Sequence, residues 1–313
     1  MLENKELEKA IIIALAFTLL IVVLGKGLQG GGEYNFNYLK AQSGCDNVDD
    51  VIACEVYTPL FHILASPFAF SDNSFWYFSV VLLGFLIPLT FYFLTKNWFS
   101  VWLYYSTSST FYFLIDGVMP QALAMGLCLL ILTVKDWRIQ IGILLLSSIA
   151  HSQGFLLCLT ALIANRVWLL ISSNKWSWNN ILLSCSGIFG TARPDILDEK
   201  IAGTNAYHIT LTNILSLFTK IFPFPLYIIA FYYSIKNKYR LDLIAMAILA
   251  LAFSFLPGGS HRSWYLIPMM LIPSVSMFYT DLNKRHKLWV FSITVFLFIM
   301  QVWSWWNYKI LCQ

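Results

Sequence analysis

Long apolar runs recur along this chain of 313 residues, from near its start to near its end. About 20 helical residues cross a hydrocarbon core that is about 30 Å thick. Backbone polar groups inside lipid must bond one another, which leaves helices and closed barrels as the spanning structures. The runs lack the alternation over about ten residues that is typical of barrel strands. Charged residues make up only 12% of the chain, about half the share in a soluble domain. We therefore predict an all-α, polytopic integral membrane protein.

The apolar runs define about eleven predicted transmembrane helices. They lie near residues 10–28, 74–95, 98–115, 118–134, 138–150, 154–171, 178–191, 210–235, 241–257, 263–280 and 288–308. Two of them, 138–150 and 178–191, are short for a full crossing and are predicted to tilt, to lie where the bilayer thins, or to be re-entrant. Mixed charges precede the first run and no small-residue cleavage pattern follows it, which favours an anchor over a removed signal peptide.

The predicted helices leave no room for a sizeable soluble domain, so residues 1–313 are predicted to form one transmembrane domain. Its longest outer loop covers residues 29–73. The apolar run that begins at Tyr57 and closes at Pro67 is too short to span, and we predict that it is an interfacial or re-entrant segment.

The positions of Lys and Arg indicate an orientation, because these residues favour cytoplasmic loops. If the N-terminus is cytoplasmic, every inner turn is basic. These turns carry Lys96, Lys135, Arg138, Arg166, Lys175, Lys236, Lys238, Arg240, Lys284, Arg285 and Lys287. They account for the net charge of +4, so no basic face remains for nucleic acid, and that class of partner is excluded. The remaining polar clusters all fall on the outer side, where we expect the chemistry.

The outer loop opens with Gly30-Gly31-Gly32-Glu33-Tyr34. Three glycines allow a sharp turn or a close approach of backbone to a bound group, and Glu33 could then act as a base. The alternative is that the glycines end a helix and Glu33 meets water. Both interpretations remain open from this spacing.

Cysteines and acids in the same loop suggest two further features. Cys45 and Cys54 lie in a compartment that permits disulfides, so a bridge between them is a hypothesis. Asp46, Asp49 and Asp50 suggest a cation site, but the glycine and distal glutamate of a calcium loop are missing, which favours a solvated loop. No metal motif emerges. The cysteines inside apolar runs are predicted to be small core residues: Cys128, Cys158 and Cys185.

Three other outer positions are candidate site residues. His151 lies between two apolar runs, where an ionisable group is costly and is a functional hypothesis, although it could be bonded structurally. Arg262, beside His261 and after two glycines, suits recognition of phosphate, pyrophosphate or carboxylate. Arg193 offers the same chemistry. The alternative to ligand binding, for both arginines, is that the side chain snorkels to the lipid headgroups at the membrane interface.

Four short stretches carry a family resemblance. Residues 26–38 read KGLQGGGEYNFNY, residues 120–126 read PQALAMG, residues 149–155 read IAHSQGF and residues 262–265 read RSWY. They resemble stretches of the EpsG-like and Wzy-type polysaccharide polymerases, membrane enzymes that join polyprenyl-diphosphate-linked sugar units on the outer side of the inner membrane. Glu33 stands where the family more often has Asp, and Pro120 replaces an arginine before Gln121. The segment around His151 is the closest match.

A second resemblance concerns Tyr57-Thr58-Pro59-Leu60, which is similar to the Tyr-Pro-Pro-Leu segment of GT-C-type glycosyltransferases. Those enzymes use polyprenyl-monophosphate sugars, and their catalytic acid also follows the first span. Both resemblances imply a GT-C-like helical membrane fold, glycosyl transfer and a bacterial inner-membrane location. They differ in the donor, which is a diphosphate-linked oligosaccharide in one family and a monophosphate-linked single sugar in the other.

The resemblance implies roles for individual residues. Glu33 or His151 would take the proton from an acceptor hydroxyl, while Arg262, with Arg193 and Lys26, would hold the lipid diphosphate. The residues implied in substrate binding are Lys26, Tyr38, Gln121, Arg193, His261, Arg262 and Tyr265. No cofactor is required, though the acidic loop leaves room for a divalent cation. The expected partners are a polyprenyl-linked donor, a glycan acceptor, membrane lipid and other proteins of polysaccharide assembly.

A transporter or flippase for lipid-linked sugars is the alternative from another class. Such proteins often show internal repeats and place ionisable residues at depth on facing helices. No self-similarity relates the halves of this chain, although Pro223 and Pro225 interrupt one long run. Asp116, Lys220 and Asp242 come near a predicted span, and each can be placed at its end. This pattern favours an enzyme that works at the membrane surface.

Overall fold

The computed structural model describes residues 2–25, 32–42, 59–107, 119–150, 152–173, 224–255 and 263–312. Every regular element in these ranges is helical, which confirms the predicted all-α class. The α-helices are α1 (Leu2–Gly25), α2 (Gly32–Gln42), α3 (Pro59–Ala65), α4 (Asp72–Ser79), α5 (Ile87–Thr95), α6 (Trp98–Ser106), α7 (Met119–Thr133), α8 (Trp137–Ala150), α9 (Ser152–Ser173), α10 (Phe224–Asn237), α11 (Leu241–Phe255), α12 (Ser263–Asp281) and α13 (Lys284–Cys312). A 3-10 turn (Ser66–Phe68) follows α3, and a π-helical segment (Val80–Leu86) joins α4 to α5.

Several helices follow the predicted spans closely. The bounds of α7, α8, α9, α11 and α12 differ from the predicted ones by two residues or fewer. Within the described ranges, two helical runs are long and apolar enough to cross a bilayer, namely Asp72–Thr95 and Lys284–Trp303. Helices α7, α8 and the 158–169 part of α9 are apolar but shorter. The predicted span 178–191 lies outside the described residues, and the number of about eleven spans stays a prediction.

One sequence prediction of the helix pattern needs correction, and residues 29–73 contain a helix that was not predicted. This helix is α2, in which Tyr34, Asn37 and Ala41 recur at helical spacing and are buried along one face. The helix that begins the predicted span 98–115 ends at Ser106, because Thr107 adopts an extended conformation and its backbone N–H and hydroxyl both donate to the carbonyl of Tyr104. Residues 108–115 of that prediction lie outside the described residues. The segment predicted as interfacial is observed as α3 and the 3-10 turn.

The core of the bundle is aromatic. Phe17 of α1 stacks on Tyr105 of α6 with ring centroids 4.8 Å apart, and it meets Trp102 and Phe298 edge to face. Offset and edge-to-face ring pairs add about 0.5–1.5 kcal/mol each beyond the area that they bury. These rings hold α1, α6 and α13 together.

Hydroxyl groups from neighbouring helices support the π-helical segment. The Tyr104 hydroxyl donates to the carbonyl of Leu83 over 3.0 Å. The hydroxyls of Tyr105 and Thr18 both donate to the carbonyl of Gly84. A π-helical turn alters the regular backbone hydrogen bonding and is rare outside such single bulges. The three bonds therefore stabilise the bulge and attach α1 and α6 to it.

Polar contacts gather the basic turns at one end of the bundle. Arg166 on α9 donates to Oε1 of Gln140 at the start of α8, over 3.3 Å. The adjacent Asn165 donates to Oδ2 of Asp242 on α11 over 3.1 Å. Asp242 also pairs with Arg240 in the preceding turn, with the charged atoms 2.6 Å apart. The turns before α8 and α11 therefore lie beside the last part of α9.

The turns before α6 and after α12 lie at the same end. The Asn97 side chain, before α6, donates to the carbonyl of Ser276 on α12. The Tyr233 hydroxyl on α10 donates to Asp281 at the end of α12. We call this end of the bundle the basic end. Its cationic residues are Lys96, Lys135, Arg138, Arg166, Lys236, Lys238, Arg240, Lys284, Arg285 and Lys287.

Candidate functional site

The predicted site residues fall into three groups. Lys26, His151, Arg193, His261 and Arg262 lie outside the described residues, as do Cys45, Cys54 and the three acids between them. Glu33 is the second residue of α2 and Tyr265 lies in the first turn of α12, and for these two the structure describes the helix only. Tyr38 and Gln121 are described with their side chains.

Helix α2 is fixed to the start of α4 by a buried tyrosine. The Tyr34 hydroxyl donates to Oδ1 of Asp72 over 3.0 Å, and the Tyr34 side chain is buried. Asp72 lies in the first turn of α4, which Ser71 caps by accepting from the backbone N–H of Ser74. Burial, and then the bond to Asp72, raise the pKa of Tyr34 above its ordinary value, so the phenol stays protonated and donates.

A buried amide–imidazole pair fixes α2 to α3. Nε2 of His62 lies 3.0 Å from Oδ1 of Asn37, and the two residues are 5% and 3% exposed. An amide oxygen only accepts, so Nε2 carries the proton in this pair. Asn37 belongs to the Asn-Tyr of the polymerase-like stretch. His62 was not among the predicted site residues, although an ionisable residue in a short apolar segment is a signal that could have identified it.

The ring of Phe75 on α4 is the apolar centre of this region. Tyr38 packs against it at 5.4 Å between centroids, Tyr34 at 5.5 Å and Phe61 at 6.2 Å. Tyr38 is only partly buried. One face of α2 is therefore held by rings and by two polar bonds, and the helix that carries Glu33 is fixed in place.

Gln121 lies in the first turn of α7 and is 5% exposed. Among the described residues, no donor lies within hydrogen-bond distance of its Oε1. A buried carbonyl oxygen normally accepts a hydrogen bond, and leaving it without a donor costs about 1–3 kcal/mol. Pro120 also lies in the first turn of α7 and is buried there, where proline is well tolerated.

The cluster around α2 lies at the end of the bundle opposite the basic end. The continuous run Asp72–Thr95 has 24 residues, which corresponds to about 36 Å of helix. Asp72 begins this run and Lys96 follows it directly. We call the end that contains Tyr34, Asn37, His62 and Asp72 the distal end.

A buried carboxylate belongs to the basic end. It is Asp242 in the first turn of α11, as expected for a residue at the end of a predicted span. Its partner Arg240 has a left-handed backbone, with φ 48°. A non-glycine residue rarely adopts this conformation, and the ion pair with Asp242 compensates for it by fixing the turn. We interpret this pair as structural.

The described cysteines confirm one sequence prediction and add a contact to it. Cys128 and Cys158 are both buried and neither forms a disulfide, as predicted for core residues. Their thiols are hydrogen-bonded to each other, which joins α7 to α9. In the described ranges, no three residues of the types His, Cys, Asp and Glu form a group that could hold a metal.

No protein-family model, no curated protein and no solved structure matches this chain.

Proposed function

We propose that this chain is a membrane glycosyltransferase of the polysaccharide-polymerase type, which joins polyprenyl-diphosphate-linked sugar units at the outer face of a bacterial inner membrane. The observation that carries the proposal is the packing of α2. The stretch that resembles the start of the polymerases is a helix fixed at the distal end by one buried and one partly buried polar bond. A site that transfers sugars requires such rigid placement of its base.

The proposed fold is a GT-C-like bundle of about eleven membrane-spanning helices. The basic end would face the cytoplasm, since Lys and Arg are enriched there. The distal end, with Glu33 on α2, would then face the compartment in which lipid-linked glycans are joined. Other proteins of polysaccharide assembly are the expected partners.

The proposed reaction is a displacement at the anomeric carbon of the donor. The acceptor hydroxyl oxygen forms the new bond as the bond from that carbon to the diphosphate oxygen breaks. Glu33 or His151 takes the hydroxyl proton, and the diphosphate leaves with the electron pair. Arg262, Arg193 and Lys26 would stabilise the charge that develops on the diphosphate. Gln121, His261, Tyr38 and Tyr265 would bind the sugars.

One observation favours the alternative function, a GT-C glycosyltransferase that uses a polyprenyl-monophosphate sugar as its donor. The stretch similar to the GT-C enzymes runs directly into α3, whose His62 bonds to α2. The stretch that resembles the GT-C enzymes and the stretch that resembles the start of the polymerases are therefore in contact, through His62 and Asn37. The transporter alternative gains less support, because Asp242 lies at a helix end and its charge is paired.

The test measures glycan chain length on bacterial cells that lack their own surface-polysaccharide polymerase and carry this chain. The variants are Glu33→Gln, His151→Ala and Arg262→Ala, with Glu8→Gln on exposed α1 surface as the matched control. We expect long chains with the parent and the control. Whichever of Glu33→Gln and His151→Ala removes the catalytic base should make at least about a hundredfold fewer long chains than the parent. A single added sugar supports the monophosphate donor, and unchanged glycan with well-expressed parent contradicts both enzymes.

A further inference from the structure

An apolar groove runs along the outside of the bundle between α10, α12 and α13. Its volume is about 570 Å³. The walls come from Leu226 and Ile229 on α10, Phe278 on α12, and Val290, Ile293 and Leu297 on α13. Val290 and Leu297 form the buried floor, whereas Ile293 is 44% exposed at the open side. A groove of this composition suits a hydrocarbon chain.

The length of the groove matches one leaflet of a bilayer. Its lining on α13 extends from His286 to Leu297, and these two residues are separated by about 16 Å of rise along the helix. A hydrocarbon core of about 30 Å gives each leaflet about 15 Å. An acyl chain that enters at His286 would therefore reach the middle of the bilayer within the groove.

Positive charge surrounds the mouth of the groove. Lys284, Arg285 and His286 are exposed at the start of α13, and His286 itself lines the groove. Lys287 adds a fourth basic side chain, and Lys236 lies at the end of α10. Between described residues, ion pairs join only Lys9 with Glu6 and Arg240 with Asp242. Asp281 is the acid nearest in sequence, and it accepts from the Tyr233 hydroxyl. Lys284, Arg285 and Lys287 outnumber this single carboxylate, so the mouth carries a net positive charge.

The geometry points to a binding site for an anionic phospholipid, with an acyl chain in the groove and the phosphate among Lys284, Arg285 and His286. The charge complementarity between a cationic mouth and an anionic headgroup selects this occupant over a neutral lipid. This inference rests on the membrane location in the proposed function and not on the proposed reaction. The site lies at the basic end, about 36 Å of helix away from the distal end, so it is separate from the proposed donor site.

The test uses the full chain purified in detergent and two lipids with identical acyl chains, phosphatidylglycerol and phosphatidylcholine. Native mass spectrometry measures how much of each lipid stays bound. The double variant Lys284→Gln, Arg285→Gln removes charge at the mouth, and Lys135→Gln, Arg138→Gln removes two charges from another turn of the basic end. Ile293→Trp fills the groove, and Leu288→Trp adds the same bulk to α13 at a residue that is 67% exposed.

We expect the parent to prefer phosphatidylglycerol, and we expect Lys284→Gln, Arg285→Gln to reduce that preference about tenfold. Ile293→Trp should bind neither lipid, while both control variants should bind both lipids as the parent does. Equal effects of the two charge variants would overturn the inference. Unchanged lipid binding in Ile293→Trp would also overturn it, as would a parent protein that forms a dimer and binds no lipid.

If Ile293→Trp does not fold, the groove is tested on the parent by photolabelling with phosphatidylglycerol that carries a photoreactive acyl chain. Labelling must then fall on residues 286–297 of the parent, and labelling elsewhere would also overturn the inference.

The lipid measurement does not depend on glycan synthesis. A protein that binds the anionic lipid and makes no glycan refutes the proposed reaction alone. A protein that makes long glycan and shows no lipid preference refutes the lipid site alone.

Discussion

Asn37 and His62 are 25 positions apart in sequence, and each is a polar side chain in a largely apolar setting. Neither position alone indicates a partner. Their contact brings together α2, which follows the first long helix, and α3, which was predicted only as an interfacial segment. Because both residues are almost fully buried, the pair contributes to stability mainly by avoiding an unsatisfied amide or imidazole.

Replacement of His62 tests this pair. We expect His62→Ala to lower the free energy of unfolding by about 1–3 kcal/mol, because the buried Asn37 amide loses a partner. His62→Gln, which keeps a side-chain N–H donor, should recover part of the loss. Thermal unfolding of the detergent-purified protein measures the effect, with His286→Ala as the control on an exposed histidine. Equal melting temperatures of His62→Ala and His286→Ala would contradict the assignment.

At the scale of helices, small residues decide how closely neighbours approach. Gly126 on α7 faces Ile87 on α5, and a Cβ atom at Gly126 would come within 2.8 Å of Cγ1 of Ile87. Membrane helices pack without a hydrophobic driving force between them and depend on such close contacts. Gly142 on α8 offers a comparison, since a Cβ atom there would meet nothing within 4 Å.

The two glycines give a matched pair of variants. Gly126→Ala should destabilise the fold by about 1–3 kcal/mol, because α7 or the Ile87 side chain must move. Gly142→Ala should be neutral or should stabilise by up to about 1 kcal/mol through helix propensity. The melting temperatures of the two variants in one detergent provide the measurement. If Gly142→Ala lowers the melting temperature as much as Gly126→Ala does, the space around Gly126 does not govern the packing of α7 against α5.

The whole molecule has two polar ends of different character. The basic end collects the cationic turns through contacts among Gln140, Arg166, Asn165 and Asp242. The distal end contains the α2 cluster, and a helical run of 24 residues separates the two. If the bundle spans a membrane as proposed, that run places the ends on opposite sides of it.

Labelling of single cysteines tests this arrangement. In a chain whose native cysteines are replaced by serine, Asn73→Cys marks the distal end and Lys135→Cys marks the basic end, and both positions are exposed. A membrane-impermeant maleimide applied to intact spheroplasts should label Asn73→Cys, whereas Lys135→Cys should react only after permeabilisation. Labelling of both from the same side would refute the proposed arrangement across the membrane.

The sequence by itself determined the helical class, the bounds of several helices and the grouping of basic residues in alternate turns. These properties are local, because a helix satisfies its own backbone hydrogen bonds and an apolar run ends where polar and charged residues begin. Only the tertiary structure decided that Tyr34 and Asn37 attach α2 to neighbouring helices by hydrogen bonds. The same holds for the contact of Cys128 with Cys158 and for the open groove between α10, α12 and α13. Each of these depends on contacts between distant parts of the chain. Hydrophobic periodicity does not encode which distant side chains meet, since many partners satisfy the same apolar pattern.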